Sequence, residues 1–143
     1  MQPTPDLDLY AWSIESAARL RGGRVAEVDL GRVAEELEDM GKRQKQALGS
    51  HLKVLMRHLL KWHYQPGFRG VSWRLSITNA RDEIAELLED SPSLAPRLAE
   101  IRARRYPSAR ARAALETGLP IELFPTECPF SVEQLLDPDY WVD

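Results

Sequence analysis

The residues best suited to chemistry lie in one acid-free stretch of the chain, from Gly41 to Arg81. This stretch contains no Asp or Glu, although the whole sequence of 143 residues carries 22 acidic side chains and a net charge of −3. All three histidines fall within it, at His51, His58 and His63. Cations concentrated in this way indicate contact with an anionic partner. The cationic side chains of the stretch are Lys42, Arg43, Lys45, Lys53, Arg57, Lys61, Arg69, Arg74 and Arg81.

Three of these cations, Lys53, Arg57 and Lys61, recur every four residues, and positions four apart share one face of a helix. They fall on the face opposite the apolar stripe of the same segment, so we expect an exposed basic ridge. Phosphate backbones attract such a ridge, and Tyr64, Phe68 and Trp73 are nearby aromatic residues. The candidate anion- or nucleic-acid-binding residues are Lys53, Arg57, Lys61, Arg69, Arg74 and Arg81.

The same cations could instead pair with acidic side chains of the protein itself. Acidic segments flank the stretch at 35–39 (EELED) and 82–90 (DEIAELLED). Helices packed side by side could join these opposite charges within one chain or across a dimer. The charge pattern is therefore compatible with nucleic-acid binding, with an acidic protein partner and with internal ion pairs. A homodimer formed through the long helix is a further alternative.

An enzymatic alternative rests on Arg57 and His63. Their spacing, R-x5-H, resembles the active-site motif of small helical ribonucleases of the HEPN type. In such a site His acts as general acid and base, and Arg stabilises the charge of the phosphate. The alternative function is thus a phosphodiester-cleaving enzyme. Within a continuous helix, however, the two side chains point about 120° apart.

Other catalytic, metal or cofactor chemistry is not indicated. His51 and His58 lie roughly 10.5 Å apart along a helix axis, too far to share one metal ion directly. No Glu stands three residues before a His, as a di-iron helical bundle requires. Cys128 is the one cysteine, and it has no evident base beside it. We therefore predict no catalytic residues, no metal ligands and no cofactor, which favours a binding or adaptor module over an enzyme.

One long amphipathic helix, from about residue 30 to 64, organises the chain around these residues. Asp29 is the predicted N-cap, and Pro66 ends the helix. Gly49 is the point at which the helix could kink or break. A helical period places one continuous stripe along it, made of Leu30, Val33, Leu37, Met40, Gly41, Gln44, Leu48, Leu52, Leu55, Leu59 and Trp62.

The remaining segments predict an all-α bundle of four to five helices. A first helix is capped by Asp6 or Asp8, and a third starts after Ser72 and packs antiparallel to the long helix. A fourth begins near Leu94, and Pro107 either ends it or starts another. Residues 119–143 form a packed, Pro-rich extended tail with a short last helix opened by a capping box at Ser131. We expect one domain over 1–143, with a loose tail at 1–5.

Several separated blocks of this sequence resemble a known family. The blocks are YAWSIESAARLRGG, VDLGRVAEELEDMGK, LLKWHYQP, SWRLSITNARDEIAELLEDSPSL and AALETGLPIELFPTECPFSVEQLLD. They are similar to the bacterial domain-of-unknown-function family numbered 29, and the resemblance runs from about Leu9 to Trp141. It implies a small, mostly helical cytoplasmic domain. The family has no assigned activity, so the resemblance supplies no functional residue.

Hydropathy and cysteine content also favour a cytoplasmic location, as the resemblance does. No apolar run approaches the ~20 residues that a membrane-spanning helix needs, and the N-terminus has no apolar signal segment. A single cysteine cannot form an intramolecular disulfide. We therefore expect a cytoplasmic protein with no membrane partner.

Overall fold

The long helix predicted from the apolar stripe forms as one element. It spans Leu30–Tyr64, 35 residues, and is unbroken at Gly49. The structure is a computed structural model that describes residues 2–142, and these residues form α-helices and no β-strand. The predicted all-α class is therefore confirmed. The helices are α1 (Leu9–Arg21), α2 (Leu30–Tyr64), α3 (Val71–Asp90), α4 (Leu98–Thr117) and α5 (Val132–Leu136), with 3₁₀ turns at Val25–Glu27, Pro66–Phe68, Pro92–Arg97 and Ile121–Leu123.

The chain divides into two compact units, Met1–Lys42 and Arg43–Asp143. In the first unit the predicted caps are present: Asp8 accepts a hydrogen bond from the Ala11 N–H at 3.0 Å, and Asp29 accepts one from the Arg32 N–H at 3.1 Å. The Arg32 guanidinium also binds Asp6 at 2.9 Å, which ties the start of α2 to the segment before α1. The prediction of one domain over 1–143 stays a prediction.

The apolar stripe of α2 is not buried along its whole length. In the first unit Leu30, Leu37 and Met40 are each more than half exposed, although the periodicity predicts that they pack inward. In the second unit the stripe forms the core, where Leu48, Leu52, Leu55, Met56, Leu59 and Leu60 are at most 1% exposed. The core is completed by apolar residues of the other elements, including Ile77, Ile84, Ile101, Tyr106, Phe124, Phe130 and Leu135.

Helix α3 runs antiparallel to the second half of α2, as predicted. The hydroxyl of Ser91 at the end of α3 donates to Gln44 Oε1 at 3.1 Å, whereas at the other end Lys61 Nζ lies 4.9 Å from the centre of the Trp73 ring. The predicted N-cap was wrong by two residues. Gly70, not Ser72, occupies that position, and it makes no side-chain cap.

Helix α4 runs parallel to α2. Near its start Glu100 lies 3.9 Å from Lys45 Nζ, and at its end the Thr117 carbonyl accepts a hydrogen bond from Gln65 Nε2 at 3.2 Å. The prediction that Pro107 ends one helix or starts another was wrong, because α4 continues through it. Segment 92–97, predicted as partly α-helical, forms a 3₁₀ turn instead.

Side chains of α4 hold the segment that follows this helix, because they donate hydrogen bonds to carbonyl groups of that segment. The Tyr106 hydroxyl donates to the Pro125 carbonyl at 2.6 Å, and Arg110 donates to the carbonyls of Phe124 and Ile121 at 3.1 and 3.0 Å. Burial raises the pKa of Tyr106 to about 12, so this hydroxyl remains a donor at neutral pH. The predicted capping box between Ser131 and Gln134 is present.

Not every apolar residue of this segment is covered. Phe124 and Phe130 are buried. Ile121 and Leu123 are 37% and 49% exposed, although the sequence predicts a packed tail over 119–143. They lie in the 3₁₀ turn Ile121–Leu123, which replaces the predicted extended chain at this point.

Gly49 is a point at which a side chain of α4 contacts α2. A Cβ atom at this position would lie 2.7 Å from Arg105 Nε and 3.0 Å from Arg105 Cζ. Glycine therefore allows the Arg105 guanidinium to lie directly on the α2 backbone. The space that glycine leaves open is filled by a charged side chain from the neighbouring helix.

We predict that Gly49→Ala raises the free energy of unfolding by about 0.5–1 kcal/mol, the usual gain when alanine replaces glycine inside a helix. The Arg105 guanidinium moves aside at low cost, because it is the end of a flexible side chain. Urea denaturation of the two proteins measures the difference. Gly41→Ala is the matched control, since its Cβ meets no atom within 4 Å. A loss of stability specific to Gly49→Ala would mean that Arg105 cannot move.

Among the described residues, no helix is both long enough and apolar enough to cross a membrane.

Candidate anion-binding groove

Two of the three residues of the predicted basic ridge of α2, Arg57 and Lys61, lie against α4. Arg57 Nε lies 3.5 Å from Glu116 Oε2 of α4, and Lys61 Nζ lies 3.4 Å from the same oxygen. Both contacts lie on the α2 face that also meets α4 at Gly49 and Gln65. The expectation of an exposed ridge is therefore corrected for Arg57 and Lys61, and for Lys53 it stays a prediction.

Lys61 is the most enclosed member of the ridge. It is only 8% exposed, and its ammonium group lies between Glu116 and the face of Trp73. A charge in this position is already compensated, because the carboxylate and the ring quadrupole both favour the cation. Lys61 is consequently a structural residue in this arrangement.

The middle of the α2–α4 contact is different, because cationic residues there have no acidic partner. The Arg105 guanidinium lies on Gly49. Lys53 stands one helical turn after Gly49, about 6 Å further along the axis of α2. On α4, Arg112 lies two helical turns after Arg105 and on the same face of the helix. Glu116 follows one turn later. Within residues 2–142, Lys53, Arg105 and Arg112 make no hydrogen bond or ion pair. We name these three residues and Arg57, which is paired with Glu116, the basic groove.

The electrostatic character of the groove follows from the sequence of its two walls. No acidic residue occurs in α2 after Asp39, and none occurs in α4 between Glu100 and Glu116. The Nε atom of Arg57 is buried and faces Glu116 Oε2 at 3.5 Å, so it is not a donor for a ligand. An anion entering the groove would therefore meet several cationic donors and no opposing carboxylate until Glu116.

The other three predicted binding residues lie around the C-terminal segment, and two of them hold it in place. Arg69 donates to the Trp62 carbonyl at 2.7 Å and to the Val142 carbonyl at 3.2 Å. Arg81 is 7% exposed and donates to the carbonyls of Leu135 and Gln134. These carbonyls lie at the C-terminus of α5, where helices leave acceptors unpaired. Arg69 and Arg81 thus have structural partners, and the predicted exposure of Arg81 is corrected.

Arg74 is the exposed member of this second group. Its guanidinium lies 5.4 Å from the Trp62 ring centre and 5.7 Å from that of Trp141, and the two rings are 4.9 Å apart. Trp141 therefore anchors the end of the chain on Trp62, with arginine stacked on the pair. Because Arg74 remains accessible, it keeps the capacity to meet a ligand.

Arg57 and His63 do not converge. Both belong to the continuous helix α2, and Arg57 faces Glu116 of α4. His63 lines a cavity of about 190 Å³ together with Leu60, Phe130 and Tyr140. Six positions apart on a continuous helix, the two side chains point about 120° apart, so the geometry adds nothing to the enzymatic alternative.

His58 is buried and hydrogen-bonded within its own helix. Its Nδ1 lies 2.8 Å from the Val54 carbonyl, so the neutral ring donates there. Burial lowers the pKa of His58 below 6.5, and the nearby cations Lys61 and Arg57 act in the same direction. Since the unfolded chain binds this proton more readily, the stability contributed by neutral His58 is complete above pH 6.5 and is lost as the pH falls below it.

We therefore predict that the free energy of unfolding declines as the pH falls from about 7.5 towards about 5. Replacing His58 by leucine, which cannot be protonated, should make that decline shallower. Denaturation curves collected across this pH range measure the effect, and His51→Leu provides the control at a partly exposed position. If the free energy of unfolding fell equally steeply with pH in His58→Leu and in the unaltered protein, His58 would not be a group responsible for the decline.

No group of three or more His, Cys, Asp or Glu side chains within residues 2–142 is placed to hold a metal ion. Cys128 is half-buried, and its sulfur lies 3.6 Å from Met56 Sδ and 3.5 Å from the Phe130 carbonyl oxygen. These surroundings are those of a small packing residue.

The sequence analysis missed the contribution of α4. The run from Ile101 to Leu115 contains no acidic residue and carries five arginines: Arg102, Arg104, Arg105, Arg110 and Arg112. Arg104 and Arg112 are exposed. Residues 41–81 were singled out because they contain no acidic residue. The same criterion would have identified this second stretch.

Within residues 2–142 the chain is all-helical, and two of its helices, α2 and α4, run parallel and each carry an acid-free row of cations. The chain belongs to the family described as Domain of unknown function DUF29, whose model matches residues 6–141. This match confirms the resemblance carried by the sequence blocks. No curated protein and no solved structure matches the chain.

Proposed function

We propose that this protein is a non-enzymatic binding module whose basic groove holds the phosphate backbone of a nucleic acid. The observation that carries the proposal is the contact of the Arg105 guanidinium with Gly49, one helical turn before Lys53 and without an acidic partner. Uncompensated cations side by side repel one another, and an anion bound between them relieves that repulsion. The groove is thus better suited to an anionic ligand than to standing empty.

The composition of the groove favours phosphate over carboxylate ligands. Three of its four members are arginines, whose planar guanidinium groups form paired hydrogen bonds with phosphate oxygens. Its charges lie on two parallel helices with spacings of whole helical turns, which suits a ligand with regularly repeated charges. Exposed Arg74 and Arg104 lie outside the groove and could contact further phosphates.

Fluorescence anisotropy tests the proposal. Labelled single-stranded RNA, single-stranded DNA and duplex DNA are titrated with the full chain, and polyglutamate serves as the acidic polypeptide. We expect binding to at least one nucleic acid and a clear loss of affinity in the variant Lys53→Ala/Arg105→Ala/Arg112→Ala. The matched control, Arg21→Ala/Lys42→Ala/Arg97→Ala, removes the same charge from exposed positions that are not groove residues.

Each outcome of this experiment has a defined meaning. Equal losses in the two triple variants would show that net charge, not the groove, determines binding. Tight binding of polyglutamate with no nucleic-acid binding would replace the proposed ligand by an acidic protein. No binding of any polyanion at low salt would refute the proposal.

A further inference from the structure

A cavity of about 190 Å³ lies within the second unit, between the end of α2 and the C-terminal segment. Leu60 and Phe130 are 0% and 3% exposed, so they form its buried floor. His63 and Pro129 are exposed and lie at its rim. None of the four residues of the basic groove lines this cavity. The cavity is therefore a separate site that opens to solvent.

The C-terminal segment supplies part of the wall through Tyr140 and Val142. Contacts outside the cavity hold this segment in place. The Val142 carbonyl accepts a hydrogen bond from Arg69 at 3.2 Å. The Trp141 ring centre lies 4.9 Å from that of Trp62. Because the wall is already in position, a ligand would not have to order this segment on binding, and this saves part of the cost of association.

The volume of the cavity suits a ligand with one ring. An apolar cavity of about 150 Å³ in another protein is large enough to bind benzene. The present cavity is somewhat larger, so it has room for one six-membered ring with a small substituent. Drug-sized ligands occupy pockets of about 300–1,000 Å³ and would not fit.

The lining of the cavity is rich in aromatic side chains. Tyr64, Phe130 and Tyr140 each contribute a ring. The aromatic cluster continues beyond the cavity, since the centres of the Tyr64 and Phe124 rings are 4.9 Å apart and the rings meet edge to face. An aromatic ligand would extend this cluster through the same contacts, which depend on the charge distribution of aromatic rings. The lining therefore favours an aromatic ring over a saturated one.

The polar groups of the lining favour a neutral ligand with a hydroxyl group. Within the described chain, no Lys, Arg, Asp or Glu lines the cavity. A charged ligand would therefore lose its hydration without gaining a counter-charge from these residues. The hydroxyls of Tyr64 and Tyr140 form no hydrogen bond within residues 2–142. Each of them can donate to or accept from a hydroxyl group of the ligand.

We propose that this cavity is a binding site for a small neutral aromatic compound with one hydroxyl group, of the size of phenol. The compound places its ring among Tyr64, Phe130 and Tyr140 and its hydroxyl group beside the tyrosine hydroxyls. The proposal does not depend on the binding of nucleic acid, since the cavity and the basic groove share no residue.

Titration of the isotope-labelled full chain with phenol, followed by two-dimensional NMR, is the direct test. We expect the amide signals of Leu60 and Phe130 to shift and the shifts to saturate as one site fills. Val142→Phe places an additional ring in the cavity and should abolish these shifts. Val25→Phe is the matched control, because it adds the same ring at a residue of the first unit that is 46% exposed. Shifts that do not saturate, that centre on other residues, or that survive in Val142→Phe would overturn the proposed site.

Two further ligands test the chemical class. Cyclohexanol has the hydroxyl group and nearly the size of phenol but no aromatic ring, so equal affinity for cyclohexanol would overturn the aromatic assignment. Toluene lacks the hydroxyl group, and equal affinity for toluene would overturn the role of the tyrosine hydroxyls. The variant Tyr64→Phe/Tyr140→Phe should bind phenol about tenfold more weakly, the effect of losing one hydrogen bond, and should bind toluene unchanged.

Discussion

Replacing Arg81 by alanine is expected to lower the free energy of unfolding by about 3 kcal/mol. Arg81 is buried in the second unit, where its Nε donates to the Leu135 carbonyl at 3.0 Å and its Nη2 to the Gln134 carbonyl at 3.2 Å. Truncation removes charge-assisted hydrogen bonds to the end of α5 and leaves both acceptors without their donor. It also removes the cation that lies 5.8 Å from the centre of the Trp141 ring.

Burying the charged Arg81 side chain costs desolvation energy. This cost reduces the contribution of Arg81 to the free energy of unfolding but does not reverse its sign. Burial lowers the pKa of Arg81, while the charge of Asp137 favours the cation. The side chain remains protonated in this setting, because the guanidinium group is too strong a base to lose its proton in a protein. The side chain therefore acts as a permanent cationic cap for α5, and its removal should loosen the C-terminal segment as well as destabilise the core.

Urea denaturation measures the loss, and tryptophan emission reports on the Trp62–Trp141 contact. Arg74→Ala is the matched control, because Arg74 stacks on the same two rings but is exposed. Its loss should cost no more than about 1 kcal/mol. If Arg81→Ala were as stable as Arg74→Ala, the carbonyl contacts would not be stabilising the fold.

Reversing the charge of Arg105 is expected to weaken nucleic-acid binding by about 2 kcal/mol, or about thirtyfold in affinity. The substitution Arg105→Glu removes one phosphate contact and places a carboxylate in the middle of the groove. The same change should not lower the free energy of unfolding, since the new carboxylate could pair with Lys53 or Arg57. A loss of affinity without a loss of stability would separate a binding role from a structural one.

Paired anisotropy and denaturation experiments on Arg105→Glu measure both quantities. Arg97→Glu is the control, because it reverses one exposed charge in the turn Pro92–Arg97 and should have a small effect on affinity. Equal affinity losses in the two variants would mean that only the overall charge matters. A large loss of stability in Arg105→Glu would instead show that Arg105 holds α4 against α2.

Much of the fold could be predicted because its determinants are local in sequence. The apolar residues from Leu30 to Trp62 keep one helical period without interruption. This regular spacing predicted that α2 continues through Gly49 as a single helix. The caps at Asp8, Asp29 and Ser131 could be predicted because each requires only one side chain close to its own helix start. The antiparallel pairing of α2 and α3 follows from the short connection between them.

The candidate site could not be predicted to the same extent, because it depends on which helix covers which face. A spacing of four residues places Lys53, Arg57 and Lys61 on one face but does not show whether water or a helix lies over it. The partner, Glu116, is 55 residues from Lys61 and belongs to a helix that turns back parallel to α2. The exposed Leu37 and Met40 illustrate the same limit, since periodicity identifies a face and not its partner.

The salt dependence of binding tests the central claim, that the basic groove holds a phosphate backbone, most directly. The affinity of the unaltered protein and of the Lys53→Ala/Arg105→Ala/Arg112→Ala variant for one single-stranded oligonucleotide is measured over a range of salt concentrations. If the three cations contact phosphates, the slope of log affinity against log salt becomes shallower by about 2, or about 0.7 for each lost contact. An unchanged slope, with or without a change in affinity, would contradict the proposed groove.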